Sequence, residues 1–468
     1  MAEHQNPTEP QEPAKPQKPW ILDLPNELLT EILELYAASL EPTMPVIFTC
    51  RRFYQVGLPI HHQRLKLSSS ELSPLKDRMK VLERRLQEGP TLGPYCRDLC
   101  IYSNDTEETD TDSSDRVDSG SDDSYLDDNF WPNSGSNDID LTYNPDNFPF
   151  LRNIASHLPK VNSLEIDGCL EIDGESYCPK NKDTWNLFRF CVASMPSLRT
   201  VSLRRHFSGE LEVHKVLDAL KGTSVRRLTL NGDASSNSSI EELTSRYSLI
   251  RIKDFGPSCI TELILKMHDE RPEATGCLLG NWPQPLTRLT IKNSYLKSTY
   301  MDLPMLGPML EKHKDTLVKL SIDTLSSEEG RGKLCDFSAF RALEELELAM
   351  YQIVAHWPAE FGEKEYGLLL PPNLSVFKLI ITGICKDNYD HFDDQAGSWL
   401  RGFAKAAVRQ KIPLRKIAID VPVLLGKRNK MNSFLVWHKE DAPEIDIFWD
   451  RIEALEKDLG SMGIKVTY

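Results

Sequence analysis

No stretch of this chain comes near the ~18 consecutive apolar residues of a membrane-crossing helix, and its N-terminal residues carry no apolar signal segment. The sequence therefore reads as neither membrane-spanning nor secreted, and a cytoplasmic or nuclear location is expected. The 10 cysteines include no C-x-x-C pair. Cys96 and Cys100 stand close together, but no second Cys or His pair accompanies them to complete a zinc site. Buried, reduced thiols are the expected state. Motifs for bond chemistry are missing too. Gly330-Arg331-Gly332-Lys333 lacks the spacing of a phosphate-binding loop, and there is no G-x-S-x-G, no H-E-x-x-H and no dinucleotide fingerprint. His391-Phe392-Asp393-Asp394 lies in a polar stretch and is not read as a metal site. The expectation is a chain with no catalytic residues, no metal and no cofactor. Positive charge is scarce as well, with 55 Lys and Arg against 70 acids. No basic stripe carries interleaved aromatics, so nucleic acid is not the expected ligand. Arg204-Arg205-His206 and Arg226-Arg227 are local clusters, read as solvated strand edges.

The net charge of −15 is concentrated in one place. From Asp105 to Asp146 there are 14 acids against Arg116 alone, a balance of −13, so the rest of the chain is nearly neutral. That stretch is rich in Ser, Thr, Asn and Gly, which bury too little apolar surface to offset the entropy of ordering. Residues 103–148 are read as a disordered acidic insertion. Thr109, Ser119 and Ser124 each have an acid three residues on, the pattern that acid-directed kinases use; a plain solvated loop is the other reading. Residues 1–19, with Pro7, Pro10, Pro13, Pro16 and Pro19, read as a disordered Pro-rich leader.

Against these absences stands one recurring pattern: an apolar residue, another three positions on, and a third two positions after that. It reads Val161-Leu164-Ile166, Leu198-Val201-Leu203, Val225-Leu228-Leu230, Ile260-Leu263-Leu265, Leu286-Leu289-Ile291, Leu317-Leu320-Ile322, Leu343-Leu346-Leu348, Leu374-Phe377-Leu379 and Leu414-Ile417-Ile419. The last three residues of each copy alternate as a strand does. The first closes the layer from the preceding turn. One such unit cannot bury its own apolar face, so neighbours must stack in register. The pattern resembles the strand segment of a leucine-rich repeat, although the spacing of 26 to 40 residues is longer and less even. The outward residues are read as Thr229, Glu262, Thr290, Ser321, Glu347, Lys378 and Ala418, a row suited to recognition rather than catalysis. Cys96-Leu99-Ile101 is read as an earlier strand and Ile464-Lys465-Val466 as a last one. Helical spacing appears between copies over Asp183–Ser194, Leu211–Leu220, Pro304–Lys314 and Ser398–Arg409. Asp441, Pro443 and Glu444 form a capping box for a C-terminal helix with the apolar stripe Ile445, Phe448, Ile452 and Leu455, stopped by Gly460.

Residues 20–60 break from this pattern. Pro25 sits where the first turn of a helix needs no N–H, and Glu27 suits its positive end. Leu24, Leu28, Ile32 and Leu35 share one face, while Leu29 and Leu33 share an adjacent one. A helix this short with two apolar faces must contact both its own domain and something else. Leu24, Pro25, Glu27, Leu28, Ile32, Leu33, Cys50, Arg51 and Phe53 match the Leu-Pro-x-Glu-Leu, Ile-Leu and Cys-Arg-x-aromatic elements of an F-box. The segment resembles that family over about 45 residues. Pro42 and Pro45 interrupt the middle of the module, which shortens its second helix.

The resemblance implies an α/β protein: a small N-terminal helical F-box module over 20–60, followed by an irregular leucine-rich-repeat solenoid. Residues 61–102 would hold a linker helix and the first repeat strand, 103–148 the insertion, and 149–468 the array with its C-terminal cap. It further implies that Leu24, Pro25, Leu28, Ile32, Cys50 and Arg51 form a surface for an Skp1-like adaptor. The chain would then be a substrate-recognition subunit of an Skp1–cullin–F-box ubiquitin ligase, holding a protein substrate on its repeats. A repeat scaffold that takes no part in ubiquitin transfer is the second reading.

Overall fold

The computed structural model describes residues 21, 24–39, 44–47, 49–68, 84, 93–102, 154, 157–167, 182–204, 213–231, 259–266, 272–280, 282–292, 303–323, 334–350, 361–381, 394–420 and 442–468. The architecture is α/β. Among the described residues, three N-terminal helices, α1 (Asn26–Ser39), α2 (Met44–Ile47) and α3 (Arg51–His61), precede a 12-stranded sheet whose strands run in sequence order and are all parallel. The strands are β1 (Arg64–Ser68), β2 (Asp98–Tyr102), β3 (Ser163–Asp167), β4 (Thr200–Arg204), β5 (Arg227–Asn231), β6 (Glu262–Lys266), β7 (Arg288–Lys292), β8 (Lys319–Ile322), β9 (Glu345–Ala349), β10 (Val376–Ile380), β11 (Lys416–Asp420) and β12 (Lys465–Thr467). Parallel neighbours need crossover connections. Helices in these crossovers are α4 (Lys182–Ser194), α5 (Val213–Ala219), α6 (Pro272–Gly280), α7 (Leu303–Leu310), α8 (Glu363–Leu368), α9 (Asp394–Arg409) and α10 (Ala442–Gly460).

Each copy of the apolar pattern becomes one strand in the same register. Leu99, Leu164, Val201, Leu228, Leu263, Leu289, Leu320, Leu346, Phe377, Ile417 and Val466 stand side by side across the sheet. Together with the crossover helices they form one continuous apolar core from Leu67 to Val466. The junction before each strand is also repeated. The carbonyl of Arg199 accepts from the N–H groups of both Arg226 and Arg227, at 2.8 and 3.1 Å, and the same forked bond recurs at Gln63, Arg97, Asn162, Arg226, Thr261, Thr287, Val318, Glu344 and Ser375. The short polar turns serve this stacking. Ser197 Oγ donates to the Pro159 carbonyl, Ser224 Oγ to that of Pro196 and Asn373 Nδ2 to that of Arg341, each reaching back one layer.

The packing differs from the sequence reading in several places. Arg64–Ser68 is a strand that the pattern did not mark, and it extends the sheet by one. The outward row holds Ile264, not Glu262, because Ile264 pairs with Thr229 and Thr290 while Glu262 pairs with Arg227 and Arg288. The third region read as helical ends at Leu310 and tightens into a 3-10 turn over Glu311–His313, where Pro308 interrupts the helical bonding. Gly460 is still helical; the left-handed residue that turns the chain into β12 is Gly463, at φ 77°. Two helices, α6 and α8, were not marked at all. The acidic insertion, the Pro-rich leader, the linker helix and the Asp441 cap lie outside the described residues. Cys96, Cys100, Cys191 and Cys335 are buried thiols, whereas Cys259 is exposed. Among the described residues no helix is long and apolar enough to cross a membrane.

Candidate functional site

The N-terminal helices form a small module in which α1 and α2 both pack on α3. At the start of α1, the Pro25 carbonyl accepts from Leu29 N at 3.1 Å, and Thr30 Oγ1 donates to the Asn26 carbonyl at 2.8 Å. Leu29 and Leu33 are buried with Ile47 of α2 and Gly57 of α3. A Cβ at Gly57 would stand 2.2 Å from Ile47 Cγ2, so α3 needs glycine to approach α2 this closely.

Among the described residues, nothing covers the second apolar face of α1 in this way. Leu28 is 45%, Ile32 39% and Leu35 66% exposed. Their i, i+4, i+7 spacing stacks them on one stripe of the helix. The two faces anticipated from the sequence thus part company: one builds the module and the other faces solvent. A contiguous exposed apolar stripe is the kind of surface that marks a protein contact.

The other anticipated residues divide by role. Pro25 and Arg51 are exposed, and Leu24 and Cys50 are half-buried. Cys50 caps α3, its Sγ accepting from Phe53 N at 3.4 Å. The structure therefore gives Cys50 a task in holding the module together, and Leu24 supplies a carbonyl to the same end. Arg52, which sequence reasoning passed over, donates through Nη2 to the Leu24 carbonyl and to Asn26 Oδ1 at 2.9 Å, and through Nε to the same Oδ1 at 3.2 Å. One guanidinium fork ties α3 to the first turn of α1 and sets the stripe's orientation. Tyr54, 42% exposed, and Leu35 were also left out of the anticipated set. Leu35 was legible from its spacing on the stripe; Arg52 had no local signal.

A second surface is the face of the sheet turned away from the core. Its middle row runs Glu165, Ser202, Thr229, Ile264, Thr290, Ser321, Glu347, Lys378 and Ala418. Ion pairs cross between strands here. Glu262 accepts from Arg227 at 2.6 Å and stands 3.8 Å from Arg288, and Lys319 meets Glu345 at 2.8 Å. Burial opposes the charge of Lys378, but hydrogen bonds and attraction from Asp420, at 2.7 Å, and Glu347, at 3.2 Å, outweigh it and hold the ammonium above its ordinary pKa. Among the described residues no group of three His, Cys, Asp or Glu is placed to hold a metal ion. No protein-family model matches this chain, and no curated protein matches it significantly.

Proposed function

We propose that the chain is the substrate-recognition subunit of an Skp1–cullin–F-box ubiquitin ligase. In this reading α1–α3 are an F-box that docks an Skp1-like adaptor, and the stacked strands are a leucine-rich-repeat solenoid that holds a protein substrate. The observation that carries the reading is the divided α1: Leu29 and Leu33 bury the helix in its own module, while Leu28, Ile32 and Leu35 remain exposed. Exposed apolar anchors on a small rigid module are the usual source of interface energy. Leu28, Ile32 and Pro25 would contact the adaptor directly. Arg51 would lie at the rim. Leu24 and Cys50 would act through the geometry of the module. The forked carbonyl bonds and the common register of the strands support the solenoid, since they repeat layer by layer as stacked units do. The chain itself would carry out no bond chemistry; it would position one protein beside an enzyme bound elsewhere in the complex.

The test is co-purification of the full chain with Skp1, compared with a Leu28→Asp, Ile32→Asp variant. Both substitutions lie on the solvent face, so the fold should survive, as circular dichroism would show. Binding by the intact chain and its loss in the variant support the proposal. An intact chain that fails to bind Skp1 overturns it and leaves a repeat scaffold without an adaptor.

A further inference from the structure

Positive charge on the outer sheet face is gathered on four consecutive strands. On β5–β8 the register places Lys266 and Lys292 in one row and Arg227, Arg288 and Lys319 in another, against Glu262 and, just past β8, the buried Asp323. The balance of these side chains is +3 in a chain of net charge −15. The strands on either side do not share it. Over β1–β3, Arg64 and Lys66 are offset by Asp98 and Glu165, and over β9–β12 the two signs cancel. Lys378 is clamped between two carboxylates there, whereas Arg227 and Arg288 share the one carboxylate of Glu262 and Lys319 reaches across to Glu345 on β9.

The two basic rows flank an uncharged floor of Thr229, Ile264, Thr290 and Ser321. Along the strands, each row lies about 7 Å from that floor, two residues away. Across the strands, β5 to β8 spans about 14 Å, the length of roughly four extended residues. Among the described residues the buried Ser321 hydroxyl in that floor and Asn231 Oδ1, in the row of Lys266, have no hydrogen-bond partner. No aromatic residue stands at an outward position of β5–β8 to stack a base, which weighs against nucleic acid.

We propose that the outward face of β5–β8 binds an extended acidic segment of another protein. The inference rests on the reading of the chain as a substrate receptor and names the chemistry of its substrate. Carboxylates of the bound segment lie over the two basic rows, and its backbone runs along the threonine and serine floor. Complementary charge of this kind favours acidic partners and rejects basic ones.

The test is fluorescence anisotropy of the full chain with a labelled 12-residue peptide of alternating Glu and Ser, at low and physiological salt. The proposal expects saturable binding that weakens with salt. It expects the Lys266→Glu, Arg288→Glu, Lys292→Glu variant to lose about tenfold or more in affinity, and a Lys416→Glu, Lys465→Glu variant on β11–β12 to bind normally. Equal binding by the first variant, or of a Lys-Ser peptide of the same length, overturns it. So does tighter binding of a single-stranded RNA than of the peptide. Binding that appears only after deletion of residues 105–146 assigns the face to the chain's own acidic stretch and overturns the partner. Skp1 co-purification on the same variants is read separately, so loss of the peptide site with adaptor binding intact is distinguishable from failure of the ligase reading.

Discussion

Leu28 and Leu29 are neighbours in sequence with opposite fates, and truncating each to alanine separates folding from docking. Leu29 is 0% exposed, buried in the module like Leu33, Ile47 and Gly57. Leu29→Ala removes buried carbons and leaves a cavity, a change that costs about 2–5 kcal/mol in well-packed cores. A module of three short helices has little stability to spare, so this variant should open it. Leu28 is 45% exposed. Its truncation forfeits about half of a leucine's transfer energy, roughly 1 kcal/mol, and alanine's better helix propensity returns about 0.2 kcal/mol of that. The exposed half matters only when a partner covers it. Loss of that burial should weaken adaptor binding by about 1–2 kcal/mol, or roughly 5- to 30-fold in Kd. The assay pairs isothermal titration with purified Skp1 against the rate of chymotryptic cleavage within residues 24–61. Leu28→Ala should titrate weakly and cleave no more than about fourfold faster than wild type; Leu29→Ala should cleave at least about thirtyfold faster. Equal cleavage of the two variants would refute the division of α1 into an inner and an outer face. Wild-type titration by Leu28→Ala would refute the docking role.

Three further outcomes are expected. Gly57→Ala drives a Cβ to 2.2 Å from Ile47 Cγ2, at a cost of about 1–3 kcal/mol in the module; Ile47→Ala in the same chain should restore part of it, as slower proteolysis would show. His313 is fully buried, its Nδ1 accepting from Leu286 N at 3.1 Å and its Nε2 bonded to the Leu279 carbonyl at 3.0 Å, so the ring is neutral with the proton on Nε2. Burial holds its pKa below the ordinary 6.5, so the unfolded chain takes up a proton first as pH falls. Stability should be full above pH ~6.5 and decline below it until the folded ring also protonates. His61, lowered by burial as well, contributes in the same direction. Urea melts from pH 7.5 to 5 should therefore slope less in His313→Ala, which also loses about 2–5 kcal/mol from two orphaned backbone groups. Burial pushes the thiols of Cys96 to about 11 and of Cys191 and Cys335 to about 12. In the folded chain at pH 8, iodoacetamide followed by mass spectrometry should label Cys259 and leave these three unmodified until denaturant is added.

The strands were legible because period-two alternation and a layer-closing residue recur together, a coincidence that short elements seldom give. β1 escaped because His62 occupies the layer-closing position, leaving Leu65-Lys66-Leu67 too short to stand alone. Glu262 was misplaced because Leu263-Ile264-Leu265 is a continuous apolar run, in which alternation cannot be seen from sequence. α6 escaped because Gly276 and Gly280 weaken its helical signal, and α8 because six residues give too little periodicity to read. In the N-terminal module the two faces of α1 were visible from spacing alone. The Arg52 fork and the Gly57 contact were not, since both depend on how α3 approaches α1 and α2.

The central claim is that one end of this chain docks an adaptor while the sheet stays open for a substrate. Hydrogen–deuterium exchange of the full chain with and without purified Skp1 tests it most directly. Protection confined to amides of residues 24–61, with strands from Ser163 to Thr467 unchanged, is the predicted result. Unchanged exchange in α1, or protection that falls on the strands instead, would contradict it.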